Sequence, residues 1–193
     1  MPKSRTKTPP VVFTVGHSTR TLDSFIDLLR ERGVKRLVDI RTVPRSRHNP
    51  QFNKETLPQA LASAGIKYTH MPDLGGLRRP RRHSANPGWR NASFRGFADY
   101  MQTEEFGSGM QKLMALAERQ EIVLMCAEAV PWRCHRSLIA DALLVRGVKV
   151  HHIMSGHACK EHSLTPWAKV KGKSITYPPD TLSMDFESGK ERS

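Results

Sequence analysis

Cysteine is scarce in this chain: Cys126, Cys134 and Cys159 are the three in 193 residues. That number is too small and too odd for a disulfide framework, so a reducing, cytoplasmic setting is expected. Long apolar runs are lacking too. None approaches the roughly 18–20 residues of a bilayer span, which argues against a membrane protein. Pro9-Pro10 stands where a secretory signal would need its apolar stretch, so residues 1–9 are expected to be a basic extension. There is no internal repeat and no low-complexity segment. Acidic residues are in deficit, with 18 Asp plus Glu against 31 Lys plus Arg, a formal net charge of +13. What is present, 38% hydrophobic and 25% charged residues, is too apolar for wholesale disorder. The length suits one domain with a real core.

The positive excess is concentrated. Residues 30–95 hold fifteen Lys or Arg and four acids, whereas residues 171–193 hold four of each. Two knots stand out: Arg41, Arg45 and Arg47, then Arg78, Arg79, Arg81 and Arg82. Guanidinium is a planar fork of donors that matches phosphate, so two such knots point to an anionic partner, a small molecule or a nucleic acid. A merely solubilising surface is the plainer account of either knot alone.

Strand and helix signals alternate along residues 10–154. Val11-Val12-Phe13-Thr14-Val15 reads as a buried strand, and Thr21 caps a helix carrying Leu22, Phe25, Ile26 and Leu29, which Gly33 stops. Leu37-Val38-Asp39-Ile40 is the next strand. Asn53 is expected to cap a helix with Leu57, Ala60, Leu61 and Ala64, followed by a strand at residues 66–70. A long loop from 71 to about 91 is functional or mobile by its length. Helical patterns at 97–101 and 110–119, the strand Ile122-Val123-Leu124-Met125, a helix carrying Leu138, Ile139, Ala142 and Leu143, and a strand at 148–153 complete the series. The alternation implies an α/β fold in three layers, a mostly parallel sheet of about five strands with helices on both faces. Residues 10–154 are expected to be that single domain, and 155–193 a tail that is partly ordered at best. In such sheets ligands bind outside the carboxyl ends of the strands, so the segments 16–20, 41–47, 71–76, 126–136 and 155–159 should converge there.

The densest chemistry lies in Cys126-Ala127-Glu128-Ala129-Val130-Pro131-Trp132-Arg133-Cys134-His135-Arg136, between a buried strand and a helix start. Free N–H groups there favour anions and lower a thiol pKa. Cys126 is the candidate nucleophile, with Glu128 as general acid or base and His17 as a second reactive group. The plainer account makes Cys126 a core residue and Glu128 an ion-pair partner. Arg41, Arg45, Arg136 and Ser18 are candidate anion binders, although Ser18 alone reads more simply as a helix cap. Asp39 would pair with a basic neighbour, with Cys134 and His135 in support. Trp89 and Trp132 stack on a base or cover core edge.

Three alternatives can be weighed from spacing. Rhodanese-type sulfurtransferases and cysteine phosphatases place a cysteine after a strand and an arginine before the helix. Residues 126–133 resemble that layout with six intervening residues where the phosphatase pattern has five. Zinc deaminases carry a Cys-Ala-Glu element like 126–128, but their distant Pro-Cys-x-x-Cys is not supplied by 131–137. A zinc site from Cys126, Cys134, His135 and one of His151, His152 or His157 lacks C-x-x-C spacing, and adjacent Cys134 and His135 would point apart on a helix. No cofactor is expected.

Taken in order, Gly16-His17-Ser18, Asp39-Ile40-Arg41-x-x-Pro44-Arg45-Ser46, Phe52-Asn53, Tyr68-x-His70, Leu74-Gly75-Gly76, Cys126-x-Glu128 and Cys134-His135-Arg136 resemble the domain-of-unknown-function family numbered 488. The resemblance covers about residues 11–153. It implies a compact α/β domain, bacterial or archaeal and cytoplasmic, with no established reaction. The family's characteristic positions fall on His17, Ser18, Asp39, Arg41, Arg45, Cys126, Glu128, Cys134, His135 and Arg136. The knot at 78–82 and the tail after Cys159 lie outside that pattern.

The expectation is an enzyme, a hydrolase or transferase, acting on an anionic substrate such as a nucleotide or nucleic-acid component. Two other readings remain open: a non-catalytic nucleic-acid-binding protein using Arg78, Arg79, Arg81 and Arg82, and a rhodanese-like sulfur carrier or thiol redox protein.

Overall fold

In the computed structural model, residues 9–154 and 158–179 are described. The expected basic extension, apart from Pro9, the potential ligand His157 and residues 180–193 lie outside them. Six strands form one sheet in the order β3-β2-β4-β1-β5-β6. They are β1 Val11–Gly16, β2 Arg36–Asp39, β3 Lys67–His70, β4 Ile122–Cys126, β5 Lys149–Ile153 and β6 Cys159–Glu161. The first five pair in parallel, and β6 joins antiparallel to β5. The fold is therefore α/β with a mostly parallel sheet, one strand wider than periodicity suggested.

Side chains alternate between the faces of each strand, which divides the core in two. Val15, Leu37, Val123 and Met125 pack against α1 Leu22–Glu31 and α2 Leu57–Ser63. Val12, Val38, Ile122, Leu124 and Val150 pack on the other face against α3 Ala92–Tyr100, α4 Glu104–Ala117 and α5 Arg136–Leu144. Strand β4, buried along its whole length, serves both cores. Each fully buried Leu, Ile or Phe contributes about 1.5–3 kcal/mol by leaving water.

The helix starts follow local chemistry. The Thr21 hydroxyl accepts from the Ser24 N–H at 3.3 Å, and the Asn91 side chain accepts from Ser93 and Phe94. Thr103 caps α4, whose first turn holds Glu104 and Glu105 at the positive end of the helix dipole. Asn53 does not cap α2. Its side-chain Oδ1 accepts the Ser46 N–H at 2.6 Å and clamps the arginine-bearing loop, so α2 begins at Leu57 instead.

The stretch after β5 is held by polar anchors. It contains β6 and a hairpin of β7 Lys169–Lys171 and β8 Ser174–Thr176, turning at Gly172 with φ +60°. Asp141 on α5, fully buried, accepts from His162 Nε2 (2.9 Å), the Thr165 N–H (3.0 Å), the Thr165 hydroxyl (2.7 Å) and the Tyr177 hydroxyl (2.8 Å). Four bonds to one carboxylate answer the cost of burying it and dock the segment on the α5 face. His162 Nδ1 in turn lies 3.0 Å from His152 Nε2, and His152 Nδ1 lies 2.7 Å from the Thr14 hydroxyl. No helix among the described residues is long and apolar enough to cross a membrane.

Candidate functional site

The strand order creates a crevice. From β1 the chain runs by way of α1 to β2, and from β4 by way of α5 to β5. Because β1 and β4 are neighbours, their following loops depart in opposite directions and leave a gap at the carboxyl ends. Pairing continues one step past the strands, with His17 N–H to Cys126 C=O at 2.9 Å and Ser18 N–H to Ala127 C=O at 3.0 Å. The approach requires glycine at position 16, where a Cβ would fall on the carbonyl of Glu128. A cavity of about 400 Å³ opens here, walled by the segments after β1, β2, β3 and β4.

One wall is a buried ion pair. Arg41 donates to Asp39 through Nε (2.9 Å) and Nη2 (2.6 Å), and its backbone N–H reaches the same carboxylate at 3.1 Å. The Tyr68 hydroxyl adds a bond at 2.8 Å, and Nη2 also donates to the Phe52 carbonyl at 2.7 Å. Burial and the Asp39 charge push the Tyr68 phenol up, so it remains a donor. The His17 ring stacks on Phe52 at 4.4 Å. Its Nδ1–H donates to the Ser18 carbonyl at 2.9 Å, leaving Nε2 to accept from Arg41 Nη1 at 3.3 Å. Burial, with Arg41 adding to it, lowers this ring to about 4, so His17 is a neutral acceptor near pH 7.

The floor is sulfur. Cys126, at the end of β4, and Cys134, two residues before α5, bring their Sγ atoms within 2.8 Å. Cys126 is 3% exposed and Cys134 7%. Burial raises the Cys126 thiol, and the neighbouring sulfur raises it further. The Cys134 thiol moves down, chiefly through its contact with the Cys126 sulfur, with the buried Arg136 assisting. Of the two sulfurs, Cys134 is therefore the readier to ionise.

His135 belongs to this couple. Its Nε2–H donates to the Ile40 carbonyl at 3.2 Å, and its Nδ1 lies 3.5 Å from Cys134 Sγ. Adjacent residues on a helix would diverge, as the sequence reading supposed. Here Cys134 is extended (φ −134°, ψ 147°) and only His135 turns into the helix, so both side chains face the cavity. Gly76 lets the ring in, since a Cβ there would meet it.

Arg136 is almost wholly buried. It donates through Nη2 to the carbonyls of Glu128 (2.7 Å) and Ala129 (3.2 Å), fixing the loop, while its Nε has no partner. Among the described residues no carboxylate lies within ion-pair distance of it. A buried guanidinium with no carboxylate favours a thiolate nearby.

Of the residues singled out from sequence, His17, Arg41, Arg45, Cys126, Glu128, Cys134 and His135 line the cavity. Arg45 and Glu128 are exposed at its rim, joined by Arg133. Asp39 lies beneath Arg41, and Arg136 lies behind the loop. Ser18 offers its carbonyl to His17 and adopts a left-handed φ of 49°. It does not cap α1, which Thr21 does. In the second knot, Arg78 lies 3.6 Å over the Tyr100 ring and donates to the Gly75 carbonyl, while Arg79, Arg81 and Arg82 are exposed. Trp132, 57% exposed, faces a separate cavity of about 280 Å³ that Trp89 and Trp167 also line. Among the described residues no group of three His, Cys, Asp or Glu side chains is placed to hold a metal ion. Sequence reasoning gave no role to Phe52, Tyr68 or Gly76, whose contributions are a stacking face, a phenol bond and an empty Cβ position.

Compared with known proteins, residues 21–143 match the family model described as "Domain of unknown function DUF488". Of the residues named above as lining the cavity at the carboxyl ends of the strands, the match takes in all but His17. No curated protein and no solved structure matches the chain.

Proposed function

The chain belongs to the DUF488 family, and from that premise we propose that it is a thiol-dependent enzyme acting on an anionic substrate, a nucleotide or nucleic-acid component. The family's description names no reaction, so the reading is carried by one observation: two sulfurs 2.8 Å apart beneath a cavity with Arg45 and Arg133 at its mouth.

In this reading the arginines at the mouth take the anionic group, and Arg41 Nη1 with His17 Nε2 faces its buried end. Cys134 is the nucleophile. Its sulfur attacks the electrophilic centre, and the leaving group departs with the bonding pair and takes a proton from solvent at the open rim. Water, losing a proton to Glu128, then releases the product and restores the thiolate. Cys126 keeps its proton throughout and holds the charge on Cys134 by its S–H. His135 Nδ1, 3.5 Å from Cys134 Sγ, helps to place that sulfur. An arrangement of this kind supports hydrolysis, or transfer when another nucleophile replaces water.

The test is incubation of the protein with nucleoside mono- and diphosphates and short oligonucleotides, with products read by mass spectrometry. Turnover that disappears in Cys134→Ala and in Glu128→Ala, with melting temperatures within a few degrees of the parent, supports the reading. Salt-sensitive binding of oligonucleotides with no turnover would replace it by the non-catalytic one.

A further inference from the structure

The cysteine pair has a second capacity that the nucleophilic reading does not use. Two sulfurs already in contact need little movement to bond. Their Sγ separation of 2.8 Å exceeds a disulfide bond by less than about 1 Å. The two residues are the last position of β4 and the turn entering α5, and both are buried. Cys134 lines the cavity and Cys126 lies on its floor, which gives a small oxidant a route to the ionised sulfur first. The third cysteine, Cys159, is exposed on β6 and is no part of the pair.

We infer that Cys126 and Cys134 form a reversible dithiol–disulfide site, a two-electron store whose oxidant is a peroxide. The Cys134 thiolate attacks one peroxide oxygen, forming an S–O bond as the O–O bond breaks, and hydroxide leaves and is protonated to water. Cys134 is then a sulfenic acid. Cys126 gives up its proton and attacks the Cys134 sulfur, the S–S bond forms as the S–O bond breaks, and the second water departs. Two thiols lose two electrons and one peroxide becomes two waters. A dithiol reductant reverses the change by thiol–disulfide exchange. In the disulfide neither sulfur is nucleophilic, so oxidation switches off the chemistry proposed above. In the reduced protein Cys126 is the resolving partner that spares Cys134 from irreversible oxidation.

This inference rests on the proposed reading only in taking Cys134 as the ionised member. Anion binding by a Cys126→Ser/Cys134→Ser double variant, which keeps every arginine, tests the anion site separately, so failure of one leaves the other standing.

The experiment uses the full chain with Cys159→Ser, treated with about one equivalent of hydrogen peroxide and mapped by peptide mass spectrometry without reduction. The expected result is a Cys126–Cys134 cross-linked peptide about 2 Da lighter than the two thiols, lost on dithiothreitol treatment. Both thiols unmodified, or one carried to sulfinic acid with the other still alkylatable, overturns the inference. In Cys126→Ser the resolving sulfur is missing, so Cys134 should accumulate sulfinic acid at least several-fold faster than in the parent. Equal rates in the two proteins count against the assignment of Cys126, and the parent mapping decides the matter if that variant fails to fold.

Discussion

Substituting Asp39 by Ala removes the carboxylate that neutralises Arg41 in the cavity wall. That carboxylate accepts three bonds from Arg41 and one from Tyr68, at 2.6 to 3.1 Å, and neither charged side chain is more than 7% exposed. Arg41 would be left buried with only a neutral imidazole and the Phe52 carbonyl for company. Losing one member of a buried pair costs about 3–5 kcal/mol, which for a domain of this size lowers the melting temperature by roughly 6–20 °C. Urea unfolding of the parent, Asp39→Ala, Arg41→Met and the double variant gives the four corners of a cycle. Because the double variant leaves no unpaired charge, its loss should fall short of the summed single losses by about 2 kcal/mol or more. A loss under about 1 kcal/mol for Asp39→Ala, or strict additivity in the cycle, refutes the reasoning, since either means that the charges do not depend on each other.

Two further outcomes follow from other groups. His17 and His152 are held down to about 4 and about 3 by burial, so the unfolded chain takes up protons first as the pH drops. Stability should be full above about pH 6.5 and fall by a few kcal/mol between about pH 6.5 and 4. An acid limb set by carboxylates alone, with urea midpoints flat down to pH 4.5, contradicts this. Asp141→Ala removes the acceptor for His162, Thr165 and Tyr177. It should release the segment carrying β6 to β8, read as trypsin cleavage at Lys169, Lys171 or Lys173 at least tenfold faster than in the parent. Unchanged cleavage would mean that the apolar contacts of Tyr177 and Ile175 suffice.

The sheet was legible in sequence because parallel strands buried on both faces leave short β-branched runs, as at residues 11–15 and 122–125, and because Thr21 and Gly33 mark helix ends by local chemistry. The convergence of His17, Arg41 and Cys126 was legible for a topological reason: parallel strands deliver their following loops to one edge. What escaped depends on contacts distant in sequence. The strands after β5 are three residues long and carry little periodicity, and their anchor, Asp141, is one buried acid on a helix read for its leucines. The Cys134–His135 contact turns on a single extended residue ahead of the helix, which helical periodicity does not reveal. The contact between the Cys126 and Cys134 sulfurs, which sets their ionisation apart, is a distance that no spacing encodes.

Site-resolved alkylation tests the central claim most directly. The reduced protein is treated with iodoacetamide across pH 6–9, with and without adenosine monophosphate, and each cysteine is followed by peptide mass spectrometry. Cys134 should react ahead of Cys126, with a midpoint below the ordinary thiol value of about 8.5, losing reactivity as the pH falls through that midpoint, and the nucleotide should slow it. A Cys134 that reacts only above about pH 9, or whose rate is the same with the nucleotide present, contradicts the account.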